Sequence, residues 1–252
     1  MKRHKLATTL IIATLILGLS GCTGAKQTLD DPKAAYQKEK SQLPKMKKKF
    51  SAPNLGVLLN GFKIKGVVPR NLGTEATGTA RLAEKQGIDL IKAANFDPAK
   101  CRNVLLNTYQ DNENIPASYA QANFNSHASV IRVQLRSYPT VAAVQAAIAA
   151  QHDLAQQCPA YTVTAPGSAP TKQSVSVADY PLDGATDGTM MTYDSTVKDR
   201  TTTEVGIFER VGNLELRVYF DGSDPKSDAA AAKGELQAFI TELGQALIAK
   251  QG

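Results

Sequence analysis

Apolar and polar residues alternate strictly along residues 130–136, where aliphatic side chains separate Arg132, Gln134 and Arg136. A period of two is typical of a strand that is buried on one face only. The second half of the chain is mostly β, and further strands are predicted at residues 161–163, 173–177, 189–193, 203–210 and 214–220. The last two strands flank Val211-Gly212-Asn213, a sequence that predicts a β-hairpin.

A period near 3.6 indicates the helices. Residues 82–94 are compatible with a helix, although Gly87 weakens the pattern. Asp97-Pro98 has the form of an N-cap followed by a proline at the first helical position, which predicts a helix that ends near residue 109. Residues 140–157 form an alanine-rich helix whose apolar residues lie close to one face: Val141, Val144, Ile148 and Ala155.

The last predicted helix begins at Asp224-Pro225, which repeats the cap and proline. Its apolar stripe consists of Leu236, Phe239, Ile240, Leu243 and Leu247. Antiparallel strands with helices at both ends predict a single α+β domain at residues 55–252. In such a fold a mainly antiparallel sheet is covered by helices on one face.

The first residues have the organisation of a secretory signal peptide. Met1-Lys2-Arg3-His4-Lys5 is basic, residues 6–19 are apolar, and small residues precede Cys22. The apolar run is shorter than the roughly 20 residues of a membrane-spanning helix. Leu19-Ser20-Gly21-Cys22 resembles the bacterial lipobox, in which the cysteine thiol receives a diacylglyceryl group. We therefore predict a lipoprotein signal peptide at residues 1–21 and lipidation of Cys22; the alternative is an ordinary signal peptide with a cysteine nearby.

Residues 22–54 have the composition of a flexible basic tether. Residues 26–49 contain eight Lys against three acidic residues, so the excess positive charge lies in the first 49 residues. We expect no nucleic-acid site, because the lysines at residues 44–49 have no aromatic residues between them. Two interpretations stay open: the lysines bind anionic lipid headgroups, at about 1 kcal/mol each, or they belong to a merely solvated spacer.

The chain has three cysteines, an odd number that would leave one without a disulfide partner. If Cys22 is acylated, Cys101 and Cys158 remain and can pair with each other. In an exported protein these two are expected to form a disulfide. In the chain-entropy description, closing a loop of this length stabilises the fold by about 4 kcal/mol. A metal-binding or catalytic role is less favoured, since neither cysteine belongs to a CxxC motif or a Cys/His cluster.

Candidate catalytic groups are few. His152 lies off the apolar stripe of its helix, which predicts a solvated side chain, and His127 follows Ser126 in a polar connection. Adjacent serine and histidine residues rarely adopt triad geometry, and the motifs of α/β-hydrolases, zinc proteases and P-loops are absent. We therefore expect no enzymatic activity, no metal and no cofactor.

Two polar groups are candidate rims of a binding cleft. The first is an acidic group with two tyrosines, for which solvated turns are the default interpretation: Asp179, Asp183, Asp187, Asp194, Tyr180 and Tyr193. The second is Tyr138 with Arg132 and Arg136 nearby. Asp221-Gly222-Ser223-Asp224 lacks the later carboxylate of a calcium loop, and a turn plus a helix cap explains it better.

One order of features stands out. A helix opened by Asp97-Pro98-Ala99-Lys100-Cys101 precedes the alternating strand, and the alanine-rich helix ends in Gln156-Gln157-Cys158 before the hairpin and closing helix. Over roughly residues 55–250 this order resembles the PknH-like extracellular domain family, the sensor module of an actinobacterial receptor kinase that also occurs in free-standing lipoproteins. The resemblance implies a cleft that binds an unidentified ligand. Some members have a second disulfide, for which this chain has no cysteines, and members often have a Trp in the turn before the second cysteine, where this chain has Leu154.

These features predict a lipid-anchored, extracytoplasmic ligand-binding or sensor-like domain on the outer face of the cytoplasmic membrane. Its ligand would be a small molecule, a lipid or a cell-wall component. The alternative is a structural or partner-binding envelope lipoprotein, and an envelope hydrolase is less favoured.

Overall fold

The computed structural model describes residues 50–64, 67–74, 79–114, 118–125, 129–183, 185 and 187–251. The predicted signal peptide, Cys22, residues 22–49 of the tether and His127 lie outside the described residues. Among the helices that are described, none is both long and apolar enough to cross a membrane.

Nine strands and six helices make up the described part of the chain. The strands are β1 (Arg70–Thr74), β2 (Asn95–Asp97), β3 (Ser118–Asn125), β4 (Ser129–Ser137), β5 (Ala160–Thr164), β6 (Thr171–Asp179), β7 (Gly188–Val197), β8 (Arg200–Val211) and β9 (Leu214–Gly222). The helices are α1 (Ala52–Gly61), α2 (Thr79–Ala93), α3 (Lys100–Asn114), α4 (Val141–Gln157), α5 (Pro225–Ala231) and α6 (Lys233–Gln251).

The strands form one antiparallel sheet in the order β1-β3-β4-β9-β8-β7-β6-β5-β2. This confirms the predicted α+β class and the single domain. The helices cover both faces of the sheet rather than one, because apolar residues of two separate clusters face opposite sides of β8.

The first face of the sheet carries the larger apolar cluster. Alternate residues of β3, β4, β8 and β9 point to it, and α1, α5 and α6 pack on them. The predicted apolar stripe of the last helix lies here and is buried throughout. Phe62, just after α1, stacks on Phe239 of α6 with ring centroids 4.0 Å apart, so the beginning and the end of the domain meet in one core.

The second face carries a smaller cluster under α2, α3 and α4, over strands β5 to β8. The structure joins Cys101 of α3 to Cys158, the residue after α4, in a disulfide. Both cysteines are buried within this cluster. The predicted disulfide is therefore confirmed, and it holds two of the covering helices together.

One of the two predicted helix caps, Asp224, is confirmed, and Thr140 caps a further helix for which no cap was predicted. The Thr140 hydroxyl accepts from the Ala143 N–H and starts α4, and Asp224 accepts from the Ser227 N–H and starts α5. The chain then breaks at Ala232, so the predicted last helix is two helices. The N-cap prediction for Asp97 is wrong: Asp97 is the last residue of β2, where it pairs with Thr162, and α3 begins at Lys100.

Candidate ligand-binding face

Polar side chains replace apolar ones on the second face where β4 and β9 lie side by side. The register places Arg132 opposite Tyr219 and Arg136 opposite Glu215. It also places Glu204 of β8 in the row beyond Tyr219, opposite Asp221. We call this surface the arginine face and define it by Arg132, Arg136, Glu204, Glu215, Arg217 and Tyr219.

Two ion pairs of different geometry lie on the arginine face. Arg217 Nε donates to Glu215 Oε1 at 2.7 Å, and both side chains are almost completely buried. The other Glu215 oxygen accepts from the Tyr138 hydroxyl at 2.8 Å. Arg132 Nη2 lies 3.3 Å from Glu204 Oε2, and this pair is partly exposed, with 19% of the Glu204 side chain accessible. The inner pair is therefore short and buried, whereas the outer pair is long and reaches solvent.

Each arginine also lies over an aromatic ring. The guanidinium carbon is 4.5 Å from the Tyr219 centroid for Arg132, 5.6 Å from Phe208 for Arg217 and 5.7 Å from Tyr119 for Arg136. Phe208 and Tyr219 meet edge to face at 5.8 Å. Cation–π contacts of this kind fix the plane of a guanidinium and leave its N–H edge free to bind oxygen atoms.

Gly206 makes room for this aromatic pair. It lies between Tyr219 on β9 and Met191 on β7. A Cβ atom at this position would approach Phe208 Cε2 to 2.9 Å and Tyr219 Cδ1 to 3.4 Å. The absence of a side chain at Gly206 thus allows both rings to lie against the sheet, where they support Arg132 and Arg217.

The arginine face is exposed at one end and buried at the other. Val130 is 45% exposed at the outer end, and the neighbouring Asp221 is exposed as well. Arg132 and Arg217 in the next two rows are at most 7% exposed, and Glu215 at the inner end is completely buried. The arginine face therefore opens to solvent beside Glu204 and Asp221 and closes at Tyr138.

Burial and charge shift the pKa values of this face. Burial raises the pKa of the Glu204 carboxyl, and Asp221 adds to the increase, while Arg132 partly offsets it. Burial by itself would lower the pKa of Arg217, but Glu215, Tyr138 and Tyr219 outweigh it and raise that pKa well above its usual value. Arg217 thus remains a cation at the closed end, and Glu204 at the open end protonates more readily than an ordinary glutamate.

The residues of the second candidate rim lie together in the structure, but one of them does not lie at a rim. Tyr138, Arg132 and Arg136 do lie around one polar surface, but Tyr138 is completely buried at the inner end rather than at the rim. Burial and the Glu215 carboxylate raise the pKa of the Tyr138 hydroxyl. The hydroxyl therefore stays protonated and acts as a fixed donor to Glu215.

His152 is not the solvated side chain that its helix position predicts. It is half-buried, and its Nε2 lies 2.7 Å from the Thr189 hydroxyl of β7. Helix α4 packs closely on the sheet, so the side chain of His152, beside the apolar stripe of the helix, contacts Thr189 on β7. His152 thus fastens α4 to β7.

The acidic group is not brought together. Asp187 accepts from Arg210 Nε at 2.6 Å, and Asp194 accepts from the Thr203 hydroxyl at 2.6 Å. The Asp183 main chain exchanges two hydrogen bonds with the Gln237 side chain. Among the described residues, no three acidic, cysteine or histidine side chains are arranged to hold a metal ion.

The residues that sequence reasoning missed are Glu204, Glu215, Arg217 and Tyr219. Their signal was present in part, because Glu215, Arg217 and Tyr219 alternate with apolar residues in β9 just as Arg132 and Arg136 do in β4, whereas Glu204 belongs to β8. What the pattern alone does not contain is that β4 and β9 are neighbours, which makes one surface of two polar stripes.

No family model matches this chain, and no curated protein does. Among solved structures, the extracellular domain of PknH from Mycobacterium tuberculosis is similar at a TM-score of 0.43 and 9% identity, over 87% of this chain and 100% of that one. A protein of Mycobacterium smegmatis described as the Rv0999 ortholog is similar at a TM-score of 0.38 and 13% identity, over 58% of this chain and 74% of that one. Both TM-scores are below 0.5, and we infer the function from this chain's own residues.

Proposed function

We propose that this chain is a lipid-anchored extracytoplasmic binding module, sensor-like rather than catalytic, whose ligand binds at the arginine face. The anchor part of the proposal rests on the signal-peptide pattern and on Cys22. The Cys101–Cys158 disulfide supports an oxidising compartment, because such bonds are rare in the cytoplasm.

The observation that carries the binding proposal is the set of buried arginines on a sheet face. Removing charged groups from water is costly, and a buried ion pair is often no more stable than apolar side chains of similar volume. An antiparallel sheet packed for stability alone would therefore have apolar residues at Arg132, Arg136 and Arg217. Here three arginines lie on a surface that opens to solvent at one end, and the pKa values of Glu204 and Arg217 on it are shifted. These observations support a functional role instead.

The chemistry of this surface favours binding over catalysis. Glu215, the innermost carboxylate, is fully occupied by Arg217 and Tyr138. His152 is bonded to Thr189 on β7, and Asp221, which does not belong to the acidic group, lies at the outer row of the arginine face. The side chains of this face offer fixed hydrogen-bond donors and aromatic rings, which recognise a ligand without transferring a proton.

The test is native mass spectrometry of the full-length protein extracted from its own membranes in mild detergent. We expect a bound small molecule or lipid on the wild type, absent from the double variant Arg132→Gln/Arg217→Gln. The matched control is Lys85→Gln, which removes an exposed cation of α2 that pairs with Asp89 at 2.6 Å.

If the wild type and the double variant carry the same amount of ligand, the arginine face is not the binding site. If the wild type carries no ligand, the proposed binding function is wrong. One dominant protein adduct after crosslinking in cells, without a ligand, would instead favour the partner-binding alternative. Circular dichroism melting of each variant shows whether it is folded before its mass spectrum is interpreted.

A further inference from the structure

We infer that the ligand of the arginine face presents an anionic oxygen group, a carboxylate or a phosphate, which displaces Glu204 from Arg132 and binds to Arg217. This inference rests on the proposed binding function and names the chemical class of the ligand.

The first argument is an unsatisfied donor on Arg217. Its Nε donates to Glu215, but its Nη2 is buried and has no hydrogen-bond partner among the residues that the structure describes. A buried donor without an acceptor is unfavourable, and more so on a charged group. An oxygen of a bound anion would supply the missing acceptor, since guanidinium groups bind carboxylates and phosphates through adjacent N–H groups.

The second argument is the outer ion pair. Glu204 contacts Arg132 through one separation of 3.3 Å, longer than the 2.7–2.9 Å that is usual for a charge-assisted hydrogen bond. The inner pair of Arg217 and Glu215, at 2.7 Å, has the usual length. Glu204 therefore occupies the anion position of Arg132 without binding it tightly, as a carboxylate that a stronger acceptor can replace.

The third argument is the spacing of the two cations. Arg132 lies opposite Tyr219, and Arg217 precedes Tyr219 by two residues on the same strand, so the two arginines are diagonal neighbours across β4 and β9. Diagonal Cα atoms on one face of an antiparallel pair are about 7–8 Å apart, a distance that two long side chains can bridge to one anionic group. The Tyr219 ring lies against the guanidinium of Arg132, and the Phe208 ring lies against that of Arg217.

The charges around Glu204 give the binding a pH dependence. Glu204 faces Arg132 of β4, Asp221 of β9 and Tyr193 of β7. Burial and Asp221 favour its neutral form, so acidification neutralises Glu204 and releases Arg132. Acetate, which stays largely ionised over this range, should therefore bind more tightly at pH 5.5 than at pH 7.5.

The probes are inorganic phosphate and acetate, added to the full-length protein in detergent and followed by isothermal titration calorimetry at both pH values. We expect Arg217→Gln to weaken binding by roughly 10- to 100-fold, the loss of one charge-assisted hydrogen bond. Glu204→Gln should strengthen binding at pH 7.5 by roughly tenfold and abolish the pH difference, because the competing carboxylate is gone. Lys85→Gln should behave as the wild type.

A second arm distinguishes a lipid headgroup from a free anion. Flotation with phosphatidylglycerol vesicles and with phosphatidylcholine vesicles is compared for full-length Cys22→Ala and for Cys22→Ala/Arg132→Gln/Arg217→Gln, which share the same tether and lack the proposed acyl chains. A difference confined to phosphatidylglycerol identifies a lipid headgroup, and no difference together with phosphate binding identifies a soluble anion.

Phosphate and acetate that bind neither the wild type nor Glu204→Gln would overturn the inference. So would an affinity that Arg217→Gln leaves unchanged. If the native mass spectrum still shows an arginine-dependent but uncharged ligand, the anion assignment fails and the binding function stands. If it shows no ligand at all, the binding function fails with it.

Discussion

Glu209 is a carboxyl group buried among apolar side chains. It lies on β8 on the first face of the sheet, 0% exposed, opposite Gly188 of β7. Neither carboxylate oxygen has a hydrogen-bond partner within the described part of the chain. Burial raises its pKa to about 9, Lys233 partly offsets the increase, and Asp187 adds to it. Glu209 is therefore a neutral acid at physiological pH.

The neutral state of Glu209 makes the stability of the domain depend on pH. The folded protein keeps the Glu209 proton up to about pH 9, whereas the unfolded chain releases it near pH 4.5. Between these values the folded state binds more protons, so the free energy of unfolding falls as pH rises. We expect Glu209→Gln to match the wild type at pH 5 and to exceed its free energy of unfolding by about 1–3 kcal/mol at pH 8.

Urea denaturation at pH 5, 6.5 and 8 measures this difference. Asp153→Asn, on the exposed side of α4, is the control and should follow the wild type at each pH. Parallel pH curves for wild type and Glu209→Gln would contradict the assignment of a neutral carboxyl.

At the scale of single elements, the sequence predicted the strands and helices with strong periods and missed those without them. β4, β8, β9, α4 and the apolar stripe of α6 were all found from alternation or from a helical period. β3 was missed because its first-face residues include Ala120 and Ala122 and its polar residues are not β-formers, so its β propensity is low. β2 has three residues, too few for any period. α1 was missed because glycines and a proline obscure its pattern.

The arginine face was predictable only in part, because the sequence shows the alternation within a strand but not which strands are neighbours. Alternation within β4 depends on neighbours along the chain and is visible in the sequence. The pairing of β4 with β9 joins residues 77 to 93 positions apart, and such contacts are decided by the packing of the whole sheet rather than by local preference. Tyr138 and Arg136 were therefore recognised, whereas their partner Glu215 was not.

Gly206 allows a direct test of how β8 supports the arginine face. Gly206→Ala places a methyl group 2.9 Å from the Phe208 ring, which has to shift together with Tyr219. We expect a loss of about 1–3 kcal/mol in the free energy of unfolding, as for other overpacked cores, and weaker binding of the phosphate probe. Urea denaturation and calorimetry measure the two effects.

The control is a glycine with free space. Gly234 lies in α6, and nothing lies within 4 Å of an added Cβ. Gly234→Ala should raise the free energy of unfolding by about 0.5–1 kcal/mol through helix propensity. If Gly206→Ala and Gly234→Ala change the free energy of unfolding equally, the positions of the Phe208 and Tyr219 rings do not depend on Gly206.

At the scale of the whole molecule, two regions of different charge are joined in one chain. The first 49 residues hold the excess of positive charge, while the described domain begins with Phe50, which is buried and donates its N–H to the Ser137 hydroxyl at 2.7 Å. The domain thus has its own core, and the proposed anchor and tether connect to it at the end of β4.

Cys22→Ala tests the proposed anchor. We expect the variant to lose acylation and to move from the detergent phase to the aqueous phase in Triton X-114 partitioning, because two acyl chains are needed for durable attachment. Intact mass spectrometry of the wild type should show a diacylglyceryl group on Cys22. Thr28→Ala in the tether is the control and should remain in the detergent phase. A Cys22→Ala variant that stays in the detergent phase would contradict the anchor.

The sheet order has a consequence for assembly. β1 and β2 are consecutive strands in the chain, yet they form the two opposite outer strands, beside β3 and β5 respectively. Outer strands shield the hydrogen-bonding groups of the strands behind them, and an uncovered edge recruits other chains. Detachment of the one stretch 70–97 would therefore uncover β3 and β5 together. A molecule with two uncovered edges can add a neighbour at each side, so damage to this short stretch would favour linear polymers over closed pairs.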